Sequence, residues 1–248
     1  MSTGWIDLHT HILPGVDDGA HSMEDSLELA QMAVDSGVRT VVATPHSGRD
    51  PRFSDEVEGR VRALQYRLRC EGIPLRVLPG MEIMTDENTP ERLMQGTLLP
   101  LNGTRYALIE FSFDEDPLFI FNMLRDIRAV RFVPIIAHPE RYRCLTEELS
   151  LASDWRRQGA LLQVNKGSLF GRFGEEIQRT AVKLLLERQA AVVASDAHSP
   201  AGRTTEMQSI AKFLTEVLSP QEQQLLMRDN PARLLADEEL DEMRRMNS

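Results

Sequence analysis

Seven short apolar runs recur along the chain, and all but one stop at a side chain able to bind a metal ion. WIDLH ends at His9, with His11 two residues on; VVATPH reaches His46, VLPGME reaches Glu82, and YALIE reaches Glu110. VPIIAH reaches His138, LLQVN ends at Asn165, and AVVASD reaches Asp196 with His198 just beyond. Successive endpoints from His9 to Asp196 lie 37, 36, 28, 28, 27 and 31 residues apart, the length of one strand–helix unit. Parallel strands joined by crossover helices place all their C-terminal ends on one face, so these distant residues should converge there. The runs are nearly continuous rather than alternating, as in strands covered on both faces. The expected fold class is therefore α/β, a closed barrel of about seven strands. An open doubly wound sheet would split the strand ends around a switch point and scatter the same residues.

The 248 residues suit one barrel domain spanning the whole chain, because no Pro/Gly/Ser-rich linker divides it. A charged tail from Asp237 is expected to fray, leaving residues 237–248 mobile. MSTG leads directly into the first strand without a signal-peptide pattern, and no run approaches the roughly 18 apolar residues of a membrane span. With Cys70 and Cys144 as the two cysteines, a disulfide framework is not expected, and a reducing cytoplasm is the default. A formal charge of −10 argues against nucleic acid as a partner. It leaves a phosphorylated substrate open, since bound divalent cations reverse the local field.

Between the strands, helical spacing predicts a helix over Ser26–Asp35 capped by Ser22, and a longer one from about Asp55 to Cys70. LRVLPGMEI reads as one strand. A short helix is expected at TPERLMQG, with further ones over Leu118–Val130 and Gly174–Gln189, and the segment Glu147–Gln158 precedes the sixth strand. Ser219-Pro220-Gln221-Glu222 carries the pattern of a capping box with proline at the first helical position. The loops around Gly48–Ser54 and Phe113–Pro117 border the expected site, and patterning does not predict their shape.

His9 and His11 stand two apart at a strand end, so both imidazoles face one side. Together with Glu82, Glu110, His138, Asp196 and His198 they form a nitrogen and oxygen donor set without cysteine, suited to zinc, manganese or iron. Asp17-Asp18-Gly19 reads either as a plain turn or as the source of one more ligand. Arg141 and Arg203 each follow a candidate ligand closely, where a guanidinium can hold phosphate oxygens bidentately. Adjacent ions clamp a phosphate and make water the nucleophile. Cys70-(x5)-Arg76 has the spacing of cysteine-dependent phosphatases but ends a helix and opens a strand, the wrong order for that chemistry. His21 reads as a capping or solvated residue, and Trp5 and Trp155 as packing residues.

IDLHTHILPGVDDG, ATPH, GMEI, YALIEFS, PIIAHPERY, QVNKGS and ASDAH-(x4)-R follow one another along the chain. In this it resembles the polymerase-and-histidinol-phosphatase (PHP) superfamily. More narrowly, it resembles the bacterial metal-dependent protein-tyrosine phosphatases of capsule and exopolysaccharide loci, from Ile6 to about Leu235. The resemblance implies a distorted (β/α)7 TIM-like barrel with its metal site at the C-terminal ends of the strands, holding three divalent ions, most often manganese or iron. It assigns His9, His11, Glu82 and Asp196 to one ion. It makes Glu82 a bridge to a second ion shared with Glu110 and His138, and gives Asp18, His46 and His198 to a third. Arg141 and Arg203 match the phosphate-binding arginines, and Asp196 or His198 is the candidate to assist the leaving group. The implied reaction is metal-hydroxide attack on the phosphorus of phosphotyrosine, carried by a cognate tyrosine kinase of polysaccharide synthesis. Docking beside a membrane kinase without insertion follows, and self-association stays open. Rival readings are a small-molecule phosphoesterase acting on histidinol phosphate or a nucleotide, an amidohydrolase-type barrel, and a metal-binding regulatory module.

Overall fold

Eight strand segments, all parallel, run through the computed structural model, which describes residues 4–48, 50 and 52–240. They are β1 (Trp5–Thr10), β2 (Val38–Ala43), β3 (Arg76–Pro79), β4 (Glu82–Met84), β5 (Tyr106–Glu110), β6 (Val133–Ala137), β7 (Leu161–Asn165) and β8 (Val192–Ala194). β1-β2-β3 form one ladder and β4-β5-β6-β7-β8 another. Backbone hydrogen bonds close both seams. The Asp196 and His11 amides donate to the His9 and Ala197 carbonyls at 3.0 and 2.8 Å, and the Glu82 and Ser47 amides donate to Pro45 and Glu82 carbonyls at 3.0 and 2.9 Å. The result is a barrel of seven staves.

The third stave departs from the expected single strand, because LRVLPGMEI breaks at Gly80-Met81 into β3 and β4. Pro79 has no amide to donate to a ladder, and a Cβ on Gly80 would press on the Val42 and Leu101 side chains. The chain shifts there, so that β3 pairs with the body of β2 while Glu82 pairs with the segment beyond it.

The crossover helices are α1 (Met23–Asp35), α2 (Phe53–Cys70), α3 (Thr89–Met94), α4 (Pro117–Ala129), α5 (Arg143–Glu147), α6 (Leu151–Arg157), α7 (Lys166–Leu169) and α8 (Glu175–Leu186). After β8 come α9 (Gln208–Val217), α10 (Pro220–Gln224), a π-helical turn and α11 (Asn230–Leu235). The Ser22 side chain caps α1 by accepting from the Asp25 amide, although the helix begins three residues before the spacing predicts. Asp116 caps α4 with Pro117 following it, and α10 has the expected capping box. The segment Glu147–Gln158 before β7 holds the end of α5 at Glu147 and the whole of α6 from Leu151.

Two apolar cores result. Leu8, Val42, Leu78, Leu108, Ile135, Leu161 and Val192, one from each stave, are buried together inside the barrel. The larger core lies between strands and helices and includes Leu29, Leu64, Ile109, Ile127, Leu162, Leu184 and the buried Trp155. The tail is not free from Asp237 onward. Asp237 accepts from the Arg105 amide, the Tyr106 hydroxyl donates to the Glu238 carbonyl, and Leu240 is buried against the inner core. Residues 241–248 of the expected mobile tail lie outside the described residues. No helix among the described residues is long and apolar enough to cross a membrane. Cys70 ends α2, exposed, and Arg76 opens β3, the order that rules out cysteine-phosphatase chemistry.

Candidate metal centre

The Glu82 carboxylate is ringed by four imidazoles. Its Oε2 lies 3.3 Å from His9 Nε2, 3.2 Å from His11 Nε2 and 3.2 Å from His46 Nδ1, and its Oε1 lies 2.8 Å from His138 Nε2. Asp196 Oδ1 stands 3.5 Å from His9 Nε2, His11 Nε2 and His198 Nδ1. Glu110 closes the opposite side at 3.5 Å from both His46 and His138. Asp18, nearer solvent, is 3.5 Å from His46 Nε2 and 3.4 Å from His198 Nε2. Every ligand position expected from the sequence therefore lies in one cluster at the C-terminal ends of the strands.

Strand ends place these side chains, and the backbone is strained where they turn inward. His138 and Asp196 follow β6 and β8 in left-handed conformations with φ of 34° and 50°, which cost a non-glycine residue about 1–3 kcal/mol. The loop that brings Asp17 and Asp18 over β1 packs so closely that a Cβ on Gly19 would overlap the His11 carbonyl.

The donor set fits divalent ions. His9 Nε2 and His11 Nε2 face each other at 3.2 Å. Their other ring nitrogens are engaged, His9 Nδ1 with Gln163 Oε1 at 2.8 Å and His11 Nδ1 with Asp17 Oδ2 at 2.7 Å. Two imidazoles anchored in this way direct their Nε2 lone pairs at one point. The 3.2–3.5 Å separations match the edges of a coordination polyhedron with bonds of about 2.0–2.2 Å. Among the described residues three donor groups emerge: His9, His11 and Asp196; His46, Glu82 and Glu110; and His11, Asp18, His46 and His198. The pairing differs in detail from the sequence expectation, because His11 and His46 each border two groups.

Without cations, protons balance the buried charge. Burial works against the His9 and His11 charges, but neighbouring carboxylates outweigh it and hold them near 9 and 10. Burial would raise Glu82, yet the surrounding imidazoles keep it well below the usual carboxylate range. Glu110, buried beside Glu82, is pushed up to about 8. Burial and the His11 charge bring His198 down to about 4, and burial lowers His138. Ligand nitrogens must lose their protons to bind metal, so cations would displace these protons.

A family model described as "Capsular polysaccharide synthesis, CpsB/CapC" matches residues 5–236. The chain belongs to the CpsB/CapC family. It is 38% identical over 235 residues to the tyrosine-protein phosphatase YwqE of Bacillus subtilis, covering 94% of this chain and 92% of that one. It is 31% identical over 241 residues to the tyrosine-protein phosphatase CpsB of Streptococcus pneumoniae, covering 94% and 99%. Among solved structures, one from the crystallographic work on YwqE and CpsB, described there as metal-dependent tyrosine phosphatases, superposes with a TM-score of 0.87 at 36% identity. It covers 95% of this chain and 96% of that one.

In this CpsB/CapC chain the two expected arginines meet at Asp196. Arg203 Nη1 donates to Asp196 Oδ2 at 2.8 Å, and Arg141 Nη1 lies 3.9 Å from the same oxygen. The Arg141 guanidinium is sandwiched between the rings of Phe113 and Phe173, at 4.2 and 4.4 Å from their centroids.

Several supporting residues escaped sequence reasoning. A chain of amides links two candidate ligands: His9 Nδ1 donates to Gln163 Oε1, Gln163 Nε2 to Asn165 Oδ1, and Asn165 Nδ2 to Asp196 Oδ2, at 2.8, 2.7 and 2.7 Å. The two-residue spacing of Gln163 and Asn165 on a strand was the available signal. Asp17, rather than only Asp18, matters: its carboxylate also accepts from the Gly19 and His46 amides, and these bonds with His11 draw it down to about 2 against the cost of burial. Glu140 accepts from the Asn165 amide and is pushed up to about 7 by burial. Lys166 Nζ donates to the Thr204 and Glu206 carbonyls at 2.6 Å each, tying down the segment that carries Arg203. His21 is exposed and outside the cluster, as expected.

Proposed function

We propose that this protein is a metal-dependent protein-tyrosine phosphatase acting on phosphotyrosine of a bacterial tyrosine kinase that controls capsular or exopolysaccharide synthesis. The observation that carries the reading is the convergence of Arg141 and Arg203 on Asp196 Oδ2, beside a carboxylate ringed by four imidazoles. The activity named for YwqE and CpsB supports it. The whole chain acts as one catalytic domain in the cytoplasm, docking beside a membrane kinase without entering the bilayer.

Three divalent ions would complete the site, manganese first with iron or zinc as alternatives. His9, His11, Glu82 and Asp196 would hold one, Glu82, Glu110 and His138 a second, and Asp18, His46 and His198 a third. When bound, such ions polarise phosphoryl oxygens and ionise water near neutral pH. Arg141 and Arg203 bind the remaining phosphate oxygens and orient phosphorus for in-line displacement. Arg203 is preset by its bond to Asp196, and Arg141 by its two flanking rings. His198 Nδ1 donates to the Asp196 carbonyl at 3.0 Å, which leaves Nε2 as a lone pair toward Asp18. In that tautomer His198 serves as a ligand and not as an acid, and Asp196 is committed through both oxygens. The tyrosyl oxygen leaves as phenolate, whose conjugate acid has a pKa of about 10, and needs no strong acid.

The deciding experiment strips the protein with chelator, reloads it with manganese and measures phosphate release from a phosphotyrosine peptide and from histidinol phosphate. Metal-dependent turnover much faster on the peptide is expected. The opposite preference would move the reading to small-molecule metabolism.

A further inference from the structure

An exposed aromatic ring is by itself ordinary, but Phe113 is placed where exposure has a consequence. Phe113 is 40% exposed, the Arg141 guanidinium lies over its ring at 4.2 Å from the centroid, and it meets the His138 ring edge-to-face at a centroid distance of 5.9 Å. It therefore touches both a phosphate-binding arginine and a residue of the metal cluster. The ring is displayed from a fixed backbone: the Phe113 carbonyl accepts from the Arg143 amide at 2.8 Å, and the Glu115 amide closes a turn onto the Ser112 carbonyl at 3.0 Å. Behind it, Tyr142 packs against Phe113, Phe111 and Trp155, and its hydroxyl joins the strand ends by accepting from the Phe111 amide and donating to the Ala137 carbonyl. A flexible surface side chain would have no such footing.

A phosphate monoester bound at Arg141 and the cluster would bring its organic group beside this exposed ring. Aromatic rings prefer offset or edge-to-face contact at centroid separations of about 4.5–7 Å, a gain that a saturated chain does not share. We infer that Phe113 is a specificity-determining residue, the platform on which the aryl group of an aryl phosphate stacks while Arg141 holds the phosphoryl group. The inference rests on the phosphotyrosine reading above and adds a source for its preference for an aromatic over an alkyl ester. Phe173, whose ring centroid lies 4.4 Å from the same guanidinium, gives Arg141 a second aromatic contact.

The test is calorimetric binding of phenylphosphonate and methylphosphonate, two anions that differ in the organic group, to the manganese-loaded protein and its Phe113→Leu and Phe113→Tyr variants. Wild type should bind the phenyl compound more tightly. Phe113→Leu should cut that preference by roughly 2- to 12-fold, weakening phenylphosphonate more than methylphosphonate, and Phe113→Tyr should retain it. An unaltered preference in Phe113→Leu would overturn the inference while leaving the phosphatase reading intact. Equal weakening of both ligands would also overturn it, by showing that Phe113 acts only through the position of Arg141. Wild type that binds neither phosphonate would remove the anion site, and with it both readings.

Discussion

His9 offers a metal one nitrogen only, because its Nδ1–H is committed to Gln163 Oε1. The same amide passes the polarity on through Asn165 to Asp196 Oδ2, so one chain of bonds sets the tautomer of an imidazole and the rotamer of a carboxylate. Supporting bonds of this kind typically carry 10–100-fold in metal affinity. Gln163→Leu is expected to weaken metal binding by that order, read by competition with a chelator, without unfolding the protein. Wild-type affinity in that variant would show that the amide chain has no hold on the ligands. The His11–Asp17 pair makes a second prediction, for protein stripped of metal. His11 is held near 10 against 6.5 for a free imidazole, so its contribution to stability is full below pH 6.5 and is lost as pH rises through about 10. Asp17, held near 2 against 3.8, contributes above pH 3.8 and loses that as pH falls through about 2. In chelator, the melting temperature should therefore fall between pH 7.5 and 10, and Asp17→Asn should flatten the fall. A flat wild-type profile over that range would mean that the pair does not form.

Strands and helices here were legible by periodicity, and helix starts where a capping side chain marks them. Ser22 and Ser219 announce caps through their own side chains, which is local chemistry. The break of the third stave is not local: it depends on how closely Val42 and Leu101 approach Gly80. The turn carrying Asp17 and Asp18 is a similar case, since Gly19 lies against the His11 carbonyl and leaves no room for a side chain. Gly19→Ala should push this turn off β1 and lower metal occupancy at the outermost group, counted by elemental analysis, with little change in helical circular dichroism. Full occupancy in that variant would place the glycine outside the site's requirements.

The barrel as a whole acts as the scaffold that registers six strand ends against one another. Its inner core takes at least one buried side chain from each stave, with Tyr106, Val133 and Ala137 added from β5 and β6 and Leu101, Leu234 and Leu240 from outside the strands. Leu108 is fully buried within it, so Leu108→Ala should cost about 2–5 kcal/mol in denaturant unfolding of the metal-free protein. A loss below about 1 kcal/mol would indicate that the interior relaxes. The residues beyond α11 belong to this unit as well, since Glu238 and Leu240 pack on Tyr106 and the inner core, where the charged composition of the tail predicts solvent.

By itself the sequence determined the strand–helix rhythm, the types of candidate donor and a Cys70–Arg76 order unsuited to a cysteine-dependent phosphatase, because period, strand length and donor hardness are properties of residues in order. The tertiary structure decided which ligands share a point, that Glu82 stands among four imidazoles, and that Arg141 lies between two aromatic rings. These are relations between residues tens of positions apart. Strand register and barrel closure set their distances, and no local pattern encodes either.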